Sequence, residues 1–172
     1  MNAAHLHLLL NHLPVIGTVV AVLLLAYALL RKSGELTRIA LGMFVILAFF
    51  GLAVYLTGEP AEHVAQRLPG VTRDAIHEHE EAGLIAAWLL GAIGAISLGG
   101  LVAYRKRLDG VPRSFGITVL VLSLFPALAM ARTANLGGMV RHTEIRSDTT
   151  GAAVIEPRPN RATPQPASGD RP

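Results

Sequence analysis

Four long apolar runs alternate with polar segments along this chain. They cover Leu8–Leu30, Ile39–Leu56, Ala82–Tyr104 and Ser114–Ala131. Each run is close to the ~20 residues with which a helix crosses the hydrocarbon core of a bilayer. A soluble domain of 172 residues, of which 52% are hydrophobic, cannot bury four such segments. The pattern therefore predicts an all-α fold, an integral membrane four-helix bundle.

The connections between the runs predict two antiparallel helical hairpins. Tight turns at Arg31–Arg38 and Arg105–Arg113 join the first run to the second and the third run to the fourth. The connection between the hairpins, Gly58–Glu80, is longer. It contains Pro60, which suits a first helical turn, and Pro69-Gly70, which ends a helix, so we expect a short interfacial helix there.

Two further signals mark the limits of the membrane domain. Thr72 is a good N-cap for a third helix that begins near Arg73, with Asp74 in its first turn. After His142 the chain becomes polar and proline-rich, a composition that does not bury a core. We therefore expect a four-helix transmembrane domain over residues 1–146 and a disordered tail over residues 147–172.

The distribution of basic residues predicts how the bundle is oriented. Lys and Arg are concentrated in the two tight turns, and the positive-inside rule places such turns in the cytoplasm. Both termini and the long connection then face the periplasm of a bacterial inner (plasma) membrane. The sequence pI of about 9.8 arises from these turns and the tail, so we expect lipid rather than nucleic acid as a partner.

All of the histidines fall on the predicted outer side. Histidine is a frequent ligand of transition metals and of haem iron. The chain has no cysteine, which excludes disulfides, thiolate zinc sites and cysteine-ligated iron–sulfur clusters. Few charges lie within the spans, so a transport path or a hydrolytic centre has little support. The seven histidines are His5, His7, His12, His63, His77, His79 and His142.

Rows of small residues indicate which histidines face the bundle. On the third helix His79 begins a row at fourfold spacing, and such rows let membrane helices approach closely. On the fourth helix a comparable row ends at His142. On the first helix His5 and His12 share a face, being seven residues apart, while His7 points elsewhere. The rows are Gly83, Ala87, Gly91, Ala95 and Gly99 on the third helix, and Ala127, Ala131, Asn135 and Gly138 on the fourth.

The first hypothesis is a b-type haem held by two of these histidines in an electron-transfer subunit. His12 and His79 are the expected axial ligands, with His142 as a substitute or as the ligand of a second centre. Small residues would admit the ring, and an arginine near the membrane surface would pair with a propionate. The small residues are Gly83, Ala87 and Ala131, and the arginine is Arg132 or Arg141.

Two alternatives stay open. His12, His79, His142 and His7 could instead bind copper or zinc, with a carboxylate from Glu80 or Glu81. The bundle could also be a structural membrane subunit without a cofactor, whose small-residue rows pack against partners in a homo- or hetero-oligomer.

Two short motifs resemble an uncharacterised family of bacterial four-helix membrane domains. The segment His7-Leu-Leu-Leu-Asn-His12-Leu-Pro14 is similar to its opening, His-x4-His-x-Pro, and Leu136-Gly-Gly-Met-Val-Arg-His142 is similar to its closing Gly-Gly…Arg-His. His79 matches the histidine near the start of the family's third helix. The likeness covers about Ala4–His142.

Some members of that family are fused to Rieske iron–sulfur domains, so the resemblance implies redox work in the membrane. This chain lacks the family's proline directly after His7 and carries no Rieske domain. We therefore expect its electron partner to be a quinone or a separate periplasmic redox protein.

Overall fold

The computed structural model describes residues 3–67, 71–107 and 110–141, and these residues form four helices. The helices are α1 (Ala3–Leu30), α2 (Gly34–Ala65), α3 (Arg73–Ala103) and α4 (Arg113–Arg141), and no strand occurs among the described residues. Each helix is long and apolar enough to span a membrane. The prediction of an all-α membrane bundle is confirmed, and the protein is a multi-pass membrane protein.

The exterior of the bundle suits a lipid environment. Large apolar side chains cover the outward faces, with Trp88 and Leu128 exposed to 74% and 71%. The helices have 28 to 32 residues, which at 1.5 Å per residue is about 42 to 48 Å. Because the hydrocarbon core of a bilayer is about 30 Å thick, roughly two to three turns of each helix extend beyond it.

The helices pack in a closed cycle. α2 packs on α1, α3 on α2 and α4 on α3, and the least extensive contact, between α4 and α1, closes the bundle. α1 and α3 therefore occupy opposite corners. Successive helices are antiparallel, so one end of the bundle carries the starts of α1 and α3 and the ends of α2 and α4. We call it the histidine end because His5, His7, His12, His63, His77 and His79 lie there, and the opposite one the basic end.

Buried residues recur every seven positions along each helix. On α1, Pro14, Ala21 and Ala28 form one such row, and on α3 Ala86, Ile93 and Gly100 form another. A seven-residue period keeps one side of a helix against its neighbours and is typical of antiparallel bundles. The rows extend to His7 on α1 and to His79 on α3. The equivalent rows are Thr37, Phe44 and Gly51 on α2, and Gly116, Ser123, Met130 and Gly137 on α4.

The small-residue rows do not form the helix interfaces as expected. On α3, Ala95 and Gly99 are exposed, and a side chain at Gly91 or Gly99 would meet no atom within 4 Å. The close approach is at Gly94, whose added Cβ would press on Ala48 and lie 3.1 Å from the Phe44 carbonyl oxygen. Four-residue steps advance the row by about 40° around the helix each time, so it leaves the interface after a few turns.

The small-residue row predicted on α4 leaves the helix interface in the same way. Ala131 and Asn135 are exposed, while Ser123, Pro126 and Met130 are buried. The helix continues through Gly137 and Gly138 to Arg141. His142 and the expected tail lie outside the described residues.

At the basic end, one arginine links α2 to the segment after α3 through hydrogen bonds. Arg38 in α2 donates from Nη2 to the carbonyl oxygens of Tyr104 and Arg107, at 3.3 and 3.2 Å. The first turn holds Lys32 at φ 53°, followed by Ser33, which caps α2 by accepting a hydrogen bond from Leu36 N at 3.2 Å. The turn between α1 and α2 is as tight as predicted, and part of the turn between α3 and α4 lies outside the described residues.

The histidine end differs from expectation in one element. The segment that begins at Pro60 forms no separate helix, because α2 continues through this proline to Ala65. The prediction for α3 is confirmed: Thr72 accepts a hydrogen bond from Ala75 N at 3.3 Å, and Asp74 lies in the first turn.

Candidate functional site

Two partly buried imidazoles, from His7 and His79, occupy the histidine end of the bundle core. They stand at the ends of the seven-residue rows of α1 and α3, the helices at opposite corners. Helices at opposite corners of the bundle thus place two imidazoles at the same end of its core.

The ring of His7 is oriented by a hydroxyl of α2. Its Nδ1 lies 3.1 Å from Thr57 Oγ1. The Thr57 hydroxyl donates its own hydrogen to the Val54 carbonyl oxygen at 2.9 Å, so it accepts a hydrogen bond from His7. In the tautomer that fits both contacts, Nδ1 of His7 carries the hydrogen and the lone pair of the neutral ring is on Nε2.

The ring of His79 is oriented by the backbone of α4. Its Nδ1 lies 3.0 Å from the Thr133 carbonyl oxygen. A carbonyl oxygen only accepts, so Nδ1 is the donor and the lone pair of the neutral ring is again on Nε2. The Thr133 hydroxyl takes no part in this contact, since it donates to the Ala129 carbonyl oxygen at 2.9 Å.

Glycines leave room for both rings. A Cβ at Gly137 would lie 3.0 Å from His79 Cε1, and one at Gly58 would lie 3.9 Å from His7 Cε1. Gly137 belongs to the packing row of α4, so any larger residue there would displace the imidazole. Gly83, one turn after His79, faces α4 as well, because its added Cβ would lie 3.8 Å from Thr133 Cγ2.

The contacts of the two Nδ1 atoms are of the kind that support metal-bound histidines. Metal-bound histidines regularly donate the second ring nitrogen to a carbonyl or another fixed acceptor, which sets the tautomer and the direction of the lone pair. His7 and His79 both have such an acceptor, and the four helices all contribute, with Thr57 from α2 and Thr133 from α4. In each neutral ring the Nε2 lone pair is thus the one that would bind a metal.

The structure places His12 elsewhere. It is exposed, and its Nδ1 donates to the Leu8 carbonyl oxygen of its own helix at 2.6 Å. Five residues separate it from His7, which turns it about 140° around the helix. His7, and not His12, thus lies in the core row of α1 at the same end of the bundle as His79. The signal for this was the row His7, Pro14, Ala21 and Ala28, which orients α1 better than the spacing of His5 and His12 does.

The remaining candidates are spread around the histidine end. Ala87 is partly buried and Arg132 is exposed. Arg141 ends α4, and its side chain, like the whole of His142, lies outside the described part of the chain. Glu81 pairs with the exposed His77 at 3.2 Å, and Glu80 lies near Glu62 of α2.

Within residues 3–67, 71–107 and 110–141, no three His, Asp or Glu side chains come together in a group that would hold a metal ion. No family model, curated protein sequence or solved structure matches this chain.

Proposed function

We propose that this protein is a b-type haem-binding electron-transfer subunit, with His7 and His79 as the axial ligands of the iron. The observation that supports this most is the pair of oriented imidazoles from opposite corners of the bundle. A haem needs only two protein ligands, because the porphyrin supplies four nitrogens. Two imidazoles, with no third ligand grouped beside them among the described residues, suit a haem better than zinc.

The chain's own residues have distinct tasks in this proposal. Thr57 Oγ1 and the Thr133 carbonyl hold the two Nδ1–H groups, so each Nε2 lone pair is directed before the haem binds. The absence of a side chain at Gly137 leaves space for the His79 ring. Gly83 and Ala87 place only small residues on this face of α3. When bound, the haem supplies one-electron transfer through its iron.

The remaining predicted residues keep supporting roles in the proposal. Arg132 is exposed near the histidine end and suits a haem propionate, as does Arg141. His142 follows α4 directly and would be a substitute ligand or the ligand of a second centre.

The orientation of the proposed site follows from the basic end. Its turns carry Arg31 and Lys32 on one side and Arg105, Lys106 and Arg107 on the other. By the positive-inside rule this end faces the cytoplasm of a bacterial inner membrane, so the imidazole pair faces the periplasm. A quinol in the membrane or a periplasmic redox protein would then exchange electrons with it, in line with the redox work that the family resemblance implies.

A copper or zinc ion is the second candidate, since the two Nε2 lone pairs would also coordinate a bare metal. Zinc would need further ligands, for which His142 is a candidate outside the described residues. Metal analysis of purified, colourless protein distinguishes this case from haem.

The test is a reduced-minus-oxidised visible spectrum of the protein purified in mild detergent from cells supplied with haem. We expect the sharp band of a six-coordinate b haem. His7→Ala and His79→Ala should each abolish it, while His12→Ala, which removes an exposed imidazole of the same helix, should leave it intact. A wild-type spectrum without haem, or bands that survive in both ligand variants, would overturn the proposal.

A further inference from the structure

The two basic turns touch each other at the basic end of the bundle. Arg38 of α2 donates to the carbonyl oxygens of Tyr104 and Arg107, at 3.3 and 3.2 Å, and so holds the start of the second turn against α2. Gly110, at φ 77°, packs on the start of α2, since a Cβ added there would lie 3.5 Å from Gly34 Cα. The cations of both turns therefore converge on one surface.

This surface is strongly positive. The segments Arg31–Arg38 and Arg105–Arg113 contain seven Lys or Arg residues and two carboxylates, Glu35 and Asp109. Among the residues that the structure describes, no ion pair joins any of these cations to a carboxylate. Six of the cations are exposed, so their charges are available to an anion outside the chain. They are Arg31, Lys32, Arg105, Lys106, Arg107 and Arg113.

The orientation of the protein in the membrane does not by itself require this contact. The positive-inside rule concerns the number of cations in short cytoplasmic loops, and two separate loops would satisfy it equally well. In this bundle, however, Arg38 is engaged with two carbonyl oxygens at the other turn, and the Arg107 guanidinium lies 5.8 Å from the centroid of the Tyr104 ring. Cations from both hairpins are thus held around a single surface.

Apolar side chains continue from this surface along the outer faces of the helices. Leu30, Val102 and Ile117, of α1, α3 and α4, are exposed and lie within about one turn of the cations along each helix. An anion with attached acyl chains would therefore contact hydrocarbon directly beside its charge. A soluble phosphate compound would contact the cations alone.

We infer that the basic end binds the headgroup of an anionic phospholipid, whose phosphate is held jointly by the cations of the two turns and whose acyl chains follow the exposed apolar faces. Clusters of Lys and Arg at the cytoplasmic ends of membrane helices bind such headgroups through charge. The site lies at the opposite end of the bundle from His7 and His79, so it is independent of the proposed haem.

The test is a lipid titration of the protein in mild detergent, followed by native mass spectrometry. The probes are phosphatidylglycerol and phosphatidylcholine with identical acyl chains, which differ in net charge. We expect one phosphatidylglycerol to bind more tightly than phosphatidylcholine, by about tenfold or more, and its affinity to fall as the salt concentration rises. Equal affinity of the two lipids would overturn the inference.

Two double variants, one in each turn, test whether both turns form one site. They are Arg31→Gln with Lys32→Gln, and Arg105→Gln with Lys106→Gln, and all four side chains are exposed. Each double variant should weaken phosphatidylglycerol binding about thirtyfold, because each cation near an anionic lipid contributes about fivefold in affinity. Two tightly bound lipids in the wild type, of which each double variant loses one, would show two separate sites and overturn the inference.

The matched control removes the same charge from the other end of the bundle. Arg67→Gln with Arg73→Gln changes two exposed cations at the histidine end and should leave the affinity at the wild-type value. An equal loss in this control would overturn the inference, because the net charge of the protein would then determine binding. Glycerophosphoglycerol, the headgroup without acyl chains, should not displace the lipid at equal concentration. Displacement by it would overturn the inference in favour of a site for a soluble phosphate compound.

Discussion

At the scale of single residues, the site depends on which nitrogen of each imidazole remains available. His7 is held by the side chain of Thr57, whereas His79 is held by the backbone of Thr133. Two threonines thus stand beside two histidines, but only one of them acts through its hydroxyl. This difference makes the two support contacts separable by mutation.

Replacement of Thr57 by valine should weaken haem binding about tenfold. The change keeps the shape of the side chain and removes the acceptor of the His7 Nδ1–H bond, and such supporting contacts contribute about 10- to 100-fold in affinity. The lower value is expected because the Val54 carbonyl also lies within reach of the ring. Titration of haem into purified apoprotein measures the effect.

Thr133→Val is the control for that change. Its carbonyl continues to accept from His79, and the hydroxyl that it loses bonds only within α4. Equal losses in both variants would show that the Thr57 hydroxyl has no special part in orienting His7.

Adjacent glycines at the end of α4 provide a second residue-scale prediction. Gly137→Ala should lower haem affinity about tenfold, because its Cβ would lie 3.0 Å from His79 Cε1 and would push the ring away from its position. Gly138→Ala adds the same methyl group where no atom lies within 4 Å, and should bind haem like the wild type. Haem titration measures the affinities of the two variants. Equal affinities would show that haem binding does not depend on the position of the His79 ring.

At the scale of helices, the sequence predicted the four helices but not which face of each helix is buried. Apolar runs of about 20 residues predicted all four helices, and the Thr72 cap predicted the start of α3, because length and capping are local properties. Which face is buried depends on a small difference of period. At 100° per residue, a four-residue step moves about 40° around the helix, and a seven-residue step moves about 20° in the opposite direction. The small residues of α3 recur every four positions, whereas its buried residues recur every seven.

A pair of variants in α3 tests the seven-residue packing. Gly94→Ala should lower the free energy of unfolding by about 1 to 3 kcal/mol, since its methyl group would meet Ala48 and the backbone of α2 at Phe44. Gly91→Ala, one turn away on the expected row, should be neutral or slightly stabilising because it meets nothing within 4 Å. Unfolding in SDS, followed by circular dichroism, measures both, and a larger loss in Gly91→Ala would contradict the packing.

At the scale of the whole molecule, the bundle places His7 and His79 at the same end of its core. The two residues lie on helices at opposite corners, each of which packs mainly on α2 and α4. The sequence predicted the end of the bundle at which the histidines gather, since the hairpins fix it. It did not predict the pair, because that requires the rotation of every helix about its axis.

The orientation of the molecule in the membrane is open to a direct test. The chain has no cysteine, so a single introduced cysteine is labelled without background. Glu78→Cys at the histidine end should react with a membrane-impermeant maleimide in spheroplasts, and Glu35→Cys at the basic end only after lysis. Both residues are exposed and carry the same charge, so the pair is matched. The opposite labelling pattern would invert the topology and place the site in the cytoplasm.

The identity of the axial ligands is tested most directly by the midpoint potential of the bound haem in methionine variants. Replacement of one axial histidine by methionine raises the potential of a haem. His7→Met and His79→Met should therefore shift the potential upward, while His12→Met should leave it at the wild-type value. A potential that moves in His12→Met, or that stays unchanged in both His7→Met and His79→Met, would contradict the assignment of His7 and His79 as the ligand pair.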